Sequence, residues 1–310
     1  MALCALALAS CPFPFSIRAS IDGIVLNSDH LMSIHSENQL DDLARLRQLL
    51  LPEGEGDARR VEFLKHLLGE SACYKLAIYE IPEDFVLSVV IPIFNEVNSL
   101  SQVIAAVRTS GFKCEIILVD DGSIDGTREL LESMRDDPDL KISLHTHNQG
   151  KGAALATGFQ MATGDAVIVQ DADLEYTPRD YRALLQPIIC EGVDAVYGSR
   201  FISGQRNVPR VRHYLANKLV TFWSNLCTNL HLSDMETCYK VFRREVIQEI
   251  APTLREKRFG IEPEITAKLA RRKGLRIREV PIRYFPRTYE EGKKIGWRDG
   301  IRALWCSIRY

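Results

Sequence analysis

From Phe85 onward the sequence alternates short apolar runs with stretches of helical periodicity, and this alternation strongly constrains the fold. The runs that predict buried strands are LSVVI (87–91), EIILV (115–119), KISLH (141–145) and AVIV (166–169). Apolar residues recur at helical spacing from Leu100 to Val107, which predicts a helix that ends at Gly111. Strands that alternate with helices predict a mixed, mostly parallel α/β sheet with helices on both faces.

The first 82 residues follow a different pattern. Leucines near helical spacing over residues 40–50, and apolar residues over 61–68, predict a small helical extension that carries no visible chemistry. We therefore expect three parts, which are an N-terminal extension (1–82), an α/β domain (83–290) and a basic amphipathic tail (291–310).

The composition excludes several classes of protein. The chain of 310 residues carries a net charge of -2, so it offers no overall attraction to nucleic acid. Its eight cysteines include no C-x-x-C pair, which indicates reduced thiols of a cytoplasmic protein. The sequence contains no run of about 20 apolar residues, which is the length that a transmembrane helix requires. The apolar start MALCALALAS lacks the preceding basic residue of a signal peptide.

Polar clusters follow three of the predicted strands. PIFNE follows the first, which we expect to stop at Pro92, DDGS follows the second and DADLE follows the fourth. In parallel sheets, ligands bind beyond the carboxyl ends of the strands. Neither a P-loop nor a dinucleotide-binding glycine pattern is present at these positions, so a nucleotide site here would be of another kind.

The third cluster places Asp171, Asp173 and Glu175 directly after a buried run. In an extended backbone, side chains at every second position point to one side, so we expect these three carboxylates to converge. Like charges held together repel unless a cation lies between them. The alternative is an ordinary acidic loop.

Four segments together resemble glycosyltransferase family 2, whose members have the GT-A fold and use nucleotide-sugar donors. They are VVIPIFNE (89–96), VDDGSIDGT (119–127), NQGKGAAL (148–155) and QDADLE (170–175). Within that family, the chain is most similar to the polyprenyl-phosphate (dolichyl-phosphate type) mannosyl- and glucosyltransferases. The resemblance covers about residues 86–298.

The resemblance assigns a set of residues to the nucleotide-sugar donor, namely Pro92, Phe94, Glu96, Asp121, Lys151, Asp171, Arg287 and Lys293. Pro92, Phe94 and Glu96 are expected to border the base and ribose, although Pro92 and Phe94 also fit a plain turn and core. Asp121 is expected to accept a hydrogen bond from a base N–H. For Asp120, the alternative role is to cap the following loop.

Asp171 and Asp173 match the D-x-D motif of the family. Oxygen-only ligands favour Mg²⁺ or Mn²⁺, bound jointly with the donor diphosphate. Glu175 is either a third metal ligand or an exposed turn residue. The segment PRTYEEGKKIGW (286–297) resembles a loop that closes over the diphosphate through Arg287 and Lys293.

On the acceptor side, GSRF (198–201) matches a family segment whose arginine, here Arg200, faces the acceptor phosphate. A long helix over about 209–230 is expected to follow. Asp234 and Thr237 are the expected polar contacts of the next segment. Glu264 is expected either to face the site or to cap its own helix.

The reaction implied by the resemblance is transfer of a hexose from a UDP- or GDP-sugar to a polyprenyl phosphate, with inversion at the anomeric carbon. No paired carboxylates stand out in the sequence as a general base, which favours an acceptor that is already anionic. The alternatives are an enzyme of the same fold with a soluble acceptor, and a nucleotide-sugar-binding module without turnover.

The C-terminal tail carries apolar residues that recur at helical spacing along one face, namely Trp297, Ile301, Leu304, Trp305 and Ile308. Residues 283–310 contain seven Lys or Arg and three acidic residues, a net charge of +4. This pattern is typical of a helix lying in a membrane interface, so we expect a cytoplasmic protein that associates with the inner face of the membrane. The alternative is a final helix packed on the sheet.

Overall fold

The computed structural model describes residues 19–21, 24–26, 58–202, 211–286 and 297–310. The chain divides into two compact units, Met1–Ile81 and Pro82–Tyr310. Within the described residues, no helix is both long enough and apolar enough to cross a membrane.

The described residues of the first unit form a pair of strands and two helices. These are β1 (Ala19–Ile21), β2 (Ile24–Leu26), α1 (Ala58–Leu68) and α2 (Glu70–Lys75). Val61 and Leu64 of α1 form a small core with Cys73 and Ile78. Helix α1 agrees with the periodicity of residues 61–68, whereas the antiparallel strand pair was not predicted. The helix expected over residues 40–50 lies outside the described residues.

The second unit is built on a seven-stranded sheet in the order β5-β4-β3-β6-β8-β7-β9. Its strands are β3 (Val86–Ile93), β4 (Lys113–Asp120), β5 (Leu140–Leu144), β6 (Ala166–Val169), β7 (Ala195–Ser199), β8 (Lys240–Arg243) and β9 (Ile277–Pro281). Strand β8 is antiparallel to both of its neighbours, and the other pairs are parallel. The predicted mixed, mostly parallel sheet is confirmed.

The helices of this unit connect the strands. They are α3 (Leu100–Arg108), α4 (Thr127–Ser133), α5 (Lys151–Met161), α6 (Tyr181–Gln186), α7 (Val211–Thr228), α8 (Arg244–Ile250), α9 (Ile261–Ala270) and α10 (Trp297–Arg309). The predicted stripe of α3 is buried. A short 3₁₀ turn over Pro178–Asp180 precedes α6, and the Thr177 side chain accepts from the backbone N–H of Arg179, as expected for an N-cap before proline.

The sequence predicted that strand β3 stops at Pro92. In the structure the strand continues to Ile93. Pro92 lies opposite Val119 of β4. Neighbouring β6 pairs with β3 only from Leu87 to Val90, so one side of β3 has no sheet partner at the proline. A proline, which lacks an N–H, is tolerated at such a position.

The geometry of the sheet gathers several chain segments at one edge. The parallel strands β3, β4, β6 and β7 all end there, and the antiparallel β8 begins there. We call this the carboxyl edge. It brings together the loops after β3, β4, β5, β6 and β7 and the segment that leads into β8.

Gly122 lets two of these loops approach closely. Its φ is +76°, and a Cβ at this position would lie 2.7 Å from the backbone nitrogen of Asn148 and 2.7 Å from the backbone carbon of His147. A side chain at residue 122 would therefore both strain the backbone and push the loop after β5 away from the loop after β4.

We predict that Gly122→Ala destabilises the protein more than Gly111→Ala. Gly111 has a similar φ of +80° but nothing within 4 Å of a Cβ, so its replacement costs only the backbone strain of about 1–2 kcal/mol. Gly122→Ala adds the clash, about 1–3 kcal/mol more. Urea denaturation of both variants measures the difference, and equal losses would show that the two loops are not in close contact.

Candidate active site

Asp120, at the end of β4, is a buried loop anchor. Its Oδ1 accepts from the backbone N–H of Ser123 at 3.1 Å, and its Oδ2 lies 2.7 Å from Nη2 of Arg128. The structure therefore places Asp120 as the cap of its own loop, the alternative that the sequence left open.

Asp121 holds the loop that leads into α5. Its Oδ1 accepts from the backbone N–H of Gln149 at 2.9 Å and lies 2.8 Å from Nδ1 of His145. Its Oδ2 accepts from the backbone N–H of Gly150 at 2.6 Å. A carboxylate has about four acceptor positions, so these contacts leave room for one more donor. The predicted contact with a base N–H stays a prediction.

Pro92, Phe94 and Glu96 lie half-buried where β3 ends. Glu96 is fixed in place, because its Oε2 accepts from Ser99 Oγ at 2.9 Å and its backbone N–H donates to Thr127 Oγ1 at 3.0 Å. These three residues stand at the carboxyl edge beside the Asp120–Asp121 loop, and their predicted contacts with the base and ribose remain predictions.

Lys151 and Asp171 form an ion pair at the centre of the edge. Nζ of Lys151, the first residue of α5, lies 2.7 Å from Oδ1 of Asp171 and 3.5 Å from Sγ of Cys238. Burial opposes the charged form of both groups, but their mutual attraction outweighs it. The attraction raises the pKa of Lys151 well above its usual value and lowers the pKa of Asp171.

The segment after β6 is a turn rather than an extended strand. Strand β6 ends at Val169, and Leu174 has a φ of +61°. Oδ1 of Asp173 accepts from the backbone N–H of Glu175 at 3.1 Å, and Oε2 of Glu175 accepts from the Tyr284 hydroxyl at 2.9 Å. The expected extended backbone is wrong, so the alternation of side chains no longer predicts that the three carboxylates lie on one side.

Among the described residues, no three His, Cys, Asp or Glu side chains come together as a metal site. Asp171 and Asp173 still offer oxygen ligands two residues apart. Their role as metal ligands, and that of Glu175 as a third, stay predictions.

Arg200 and Asp234 form a buried bidentate ion pair on the other side of the site. Nε and Nη2 of Arg200 each lie 2.7 Å from an Asp234 oxygen, and the backbone N–H of Arg200 donates to Asp234 Oδ2 at 3.1 Å. Burial opposes the charge of Arg200, yet Asp234 raises the pKa of the guanidinium well above its usual value. The two predicted acceptor-side residues are thus brought together and bind each other.

Tyr284 joins the two sides of the site. Its ring centroid lies 5.0 Å from the Arg200 guanidinium, and its hydroxyl donates to Glu175. The ring also lies 5.2 Å from that of Tyr176, which stacks on Tyr239 at 4.7 Å. Sequence analysis missed these tyrosines and Cys238, because they come from separate stretches and carry no motif of their own.

Glu264 does not take part in the site. Its side chain accepts from the backbone N–H groups of Arg255 and Glu256, at 2.9 and 2.7 Å, and pairs with Lys268. It therefore holds the loop before α9. Arg287 and Lys293 lie outside the described residues.

Comparison with known proteins identifies the class to which this site belongs. A family model described as Glycosyl transferase family 2 matches residues 88–251, more than half of the 310 residues. The chain belongs to this family and is a glycosyltransferase, as the four motifs predicted.

Two similar proteins of known name are polyprenyl-phosphate sugar transferases. Undecaprenyl-phosphate mannosyltransferase of Micrococcus luteus is 27% identical over 71% of this chain and 96% of its own length. Polyprenol monophosphomannose synthase of Mycolicibacterium smegmatis is 31% identical over 67% of this chain and 80% of its own length.

Solved structures confirm the GT-A fold. A crystal structure of glucosyl-3-phosphoglycerate synthase from Mycobacterium tuberculosis with phosphoglyceric acid has a TM-score of 0.54 at 17% identity, over 83% of this chain and 86% of that one. A second structure of that protein, with Mn²⁺, UDP and glucosyl-3-phosphoglycerate, has a TM-score of 0.51 at 20% identity, over 67% of this chain and 74% of that one.

We predict that Asp234→Asn destabilises the protein by about 3–5 kcal/mol, because it leaves the buried charge of Arg200 uncompensated. Glu245→Gln is the matched control, since Glu245 is exposed and lies 3.4 Å from Arg243, and breaking such a pair costs about 0–1 kcal/mol. Urea denaturation compares the two variants. Equal losses would mean that the Arg200–Asp234 pair is no stronger than a surface pair.

Proposed function

We propose that this glycosyltransferase moves a hexose from a nucleotide sugar to a polyprenyl phosphate. The observation that carries the proposal is the position of Asp171 and the Arg200–Asp234 pair at one carboxyl edge, with Tyr284 between them. This arrangement offers a donor side and an acceptor side within one site. The names of the two similar sugar transferases support the lipid phosphate as acceptor.

A divalent metal fits the donor side. Asp171 and Asp173 offer the oxygen ligands that Mg²⁺ and Mn²⁺ prefer, and Asp171 already attracts a cation, the ammonium of Lys151. The structurally similar synthase was crystallised with Mn²⁺ and UDP. When bound, the metal would supply positive charge for the leaving nucleoside diphosphate.

Direct displacement accounts for the remaining chemistry. An acceptor phosphate oxygen attacks the anomeric carbon from the face opposite the nucleoside diphosphate, which leaves with its electron pair, so the configuration is inverted. Because the phosphate is already anionic at neutral pH, no group has to remove a proton from the nucleophile. Arg200, positioned by Asp234, is the residue we assign to orient the acceptor.

The structure also presents a surface suited to a membrane. Four large apolar side chains on one face of α7 are 59–66% exposed, namely Leu215, Leu219, Phe222 and Leu226. On α10, Ile301, Trp305 and Ile308 are exposed as well. Helix α10 packs against α7, where Trp223 Nε1 donates to the backbone carbonyl of Leu304 at 3.2 Å. We call these seven side chains the apolar stripe.

Helix α10 has a packed inner face and an exposed outer face. Its inner face packs on helices rather than on the sheet, because Cys306 and Tyr310 are buried against Ala267 of α9. Its outer face remains exposed, and the guanidinium groups of Arg302 and Arg309 lie over the Trp305 ring. An apolar stripe flanked by basic residues matches an anionic lipid surface. We propose that the protein docks there to reach its lipid acceptor.

We predict that Asp173→Ala abolishes sugar transfer, because it removes a ligand of the cation. EDTA should do the same in the unaltered enzyme, because it removes the cation itself. The fold should be kept, since the carboxylate lies in a turn at the site. Asp136→Ala, at an exposed position away from the edge, is the control. Transfer of labelled sugar to a polyprenyl phosphate with Mn²⁺ is the assay. Full activity of Asp173→Ala, or in EDTA, would contradict the metal-dependent mechanism.

We predict that the protein floats with anionic but not neutral liposomes, and that salt releases much of it. The double variant Phe222→Ser/Ile308→Ser should lose most of this binding, whereas Ile124→Ser, which alters an exposed apolar residue outside the stripe, should not. Two results would overturn the docking surface. One is that the protein floats with neither the anionic nor the neutral liposomes. The other is that the protein dimerises through the apolar stripe, which gel filtration would show as a doubled mass.

A further inference from the structure

Glu236 is a carboxylate at the carboxyl edge to which neither the sequence motifs nor the mechanism above assigns a role. It lies in the segment between α7 and β8, two residues after Asp234. Its Oε1 is enclosed by protein and forms no hydrogen bond within the described part of the chain, and the same holds for Oγ1 of the adjacent Thr237. Enclosed polar atoms without a partner are rare in native proteins, and each requires an explanation.

Among the described residues, the cations that act on Glu236 are already neutralised by other carboxylates. Arg200, at the end of β7, is bound by Asp234, and Lys240, the first residue of β8, is bound by Glu262 of α9. Burial raises the pKa of Glu236 to about 7, Glu262 and Asp234 add to the rise, and Lys240 and Arg200 oppose it. Near neutral pH, a large fraction of Glu236 therefore carries a proton.

We propose that Glu236 binds the acceptor phosphate as a neutral carboxylic acid, its O–H donating to a phosphate oxygen. This role rests on the proposed function and deepens it, because it adds an acceptor-binding residue that no motif of the sequence assigned. An O–H donor to an anionic oxygen forms a short, strong hydrogen bond. An ionised Glu236 would instead repel the phosphate, because the described cations beside it, Arg200 and Lys240, are already bound by other carboxylates.

The proton stays on Glu236 throughout the reaction. A different oxygen of the acceptor phosphate forms the bond to the anomeric carbon, and the bond from that carbon to the nucleoside diphosphate breaks. Glu236 therefore acts as a hydrogen-bond donor and not as a general base. A hydroxyl acceptor would require the opposite, an ionised Glu236 that removes the hydroxyl proton.

The test measures transfer to farnesyl phosphate, a short polyprenyl phosphate, between pH 6 and pH 8. The protonated fraction of a group with a pKa of about 7 falls about tenfold over this range. We expect the KM for farnesyl phosphate in the unaltered enzyme to rise about tenfold relative to that of Glu236→Gln, whose amide donates at every pH. Dividing the KM of the unaltered enzyme by the KM of Glu236→Gln at each pH cancels the effect of the titration of the phosphate itself. Glu236→Ala should have a high acceptor KM throughout, with the donor KM unchanged in both variants.

A second readout needs no activity. Because the folded-state pKa of Glu236 is raised, the stability it contributes is present at low pH and is lost as the pH rises through about 7. The melting temperature of Glu236→Gln should therefore rise relative to that of the unaltered enzyme as the pH increases from 6 to 8. Glu245→Gln, which alters an exposed carboxylate, should show a constant difference over the same range.

The outcomes separate this proposal from the proposed function. If the unaltered enzyme transfers no sugar to farnesyl phosphate, the proposed function fails and the role of Glu236 fails with it. If it transfers sugar but its acceptor KM and that of Glu236→Gln change in parallel with pH, only the role of Glu236 is overturned. A folded, donor-binding Glu236→Gln with kcat at least 100-fold lower would also overturn it, because that loss identifies a general base.

Discussion

The buried ion pair between Arg200 and Asp234 is the interaction on which the acceptor side of the site depends. It joins residues 34 positions apart, one directly after β7 and one in the segment that leads into β8. Glu279 of β9 reinforces that segment, because its carboxylate accepts from the backbone N–H groups of Ser233 and Asp234. The antiparallel insertion of β8 between β6 and β7 then places Asp234 and Glu236 on the same edge as Asp171.

Ion pairs of the described part of this edge already neutralise their own charges, among them Lys151–Asp171, Arg200–Asp234 and Lys240–Glu262. Such pairs gain little stability after desolvation, but breaking one is costly, so they hold the side chains in one arrangement. Little positive charge is left over among the described residues of the edge to bind two phosphorylated substrates. Under the proposed function, a divalent metal supplies positive charge on the donor side. On the acceptor side, protonated Glu236 supplies a hydrogen-bond donor without adding negative charge.

The sequence predicted the sheet, the GT-A fold and the motifs at its strand ends, because strand runs and strand-end motifs are local signals. It did not predict that Arg200 binds Asp234, because nothing local links residues that far apart. The turn at Leu174 was missed for a related reason, since a correctly predicted strand end at Val169 does not reveal the backbone conformation of the residues that follow it. Glu236 was missed because its environment exists only once β7, β8 and α9 come together.

The most direct test of the proposed function is the identity of the product. The protein would be incubated with Mn²⁺, polyprenyl phosphate and UDP- or GDP-hexoses of known anomeric configuration, and the lipid fraction analysed by mass spectrometry and NMR. Direct displacement predicts a polyprenyl-phosphate hexose whose anomeric configuration is inverted relative to the donor. A lipid product with retained configuration, or sugar transferred only to water-soluble molecules, would contradict it.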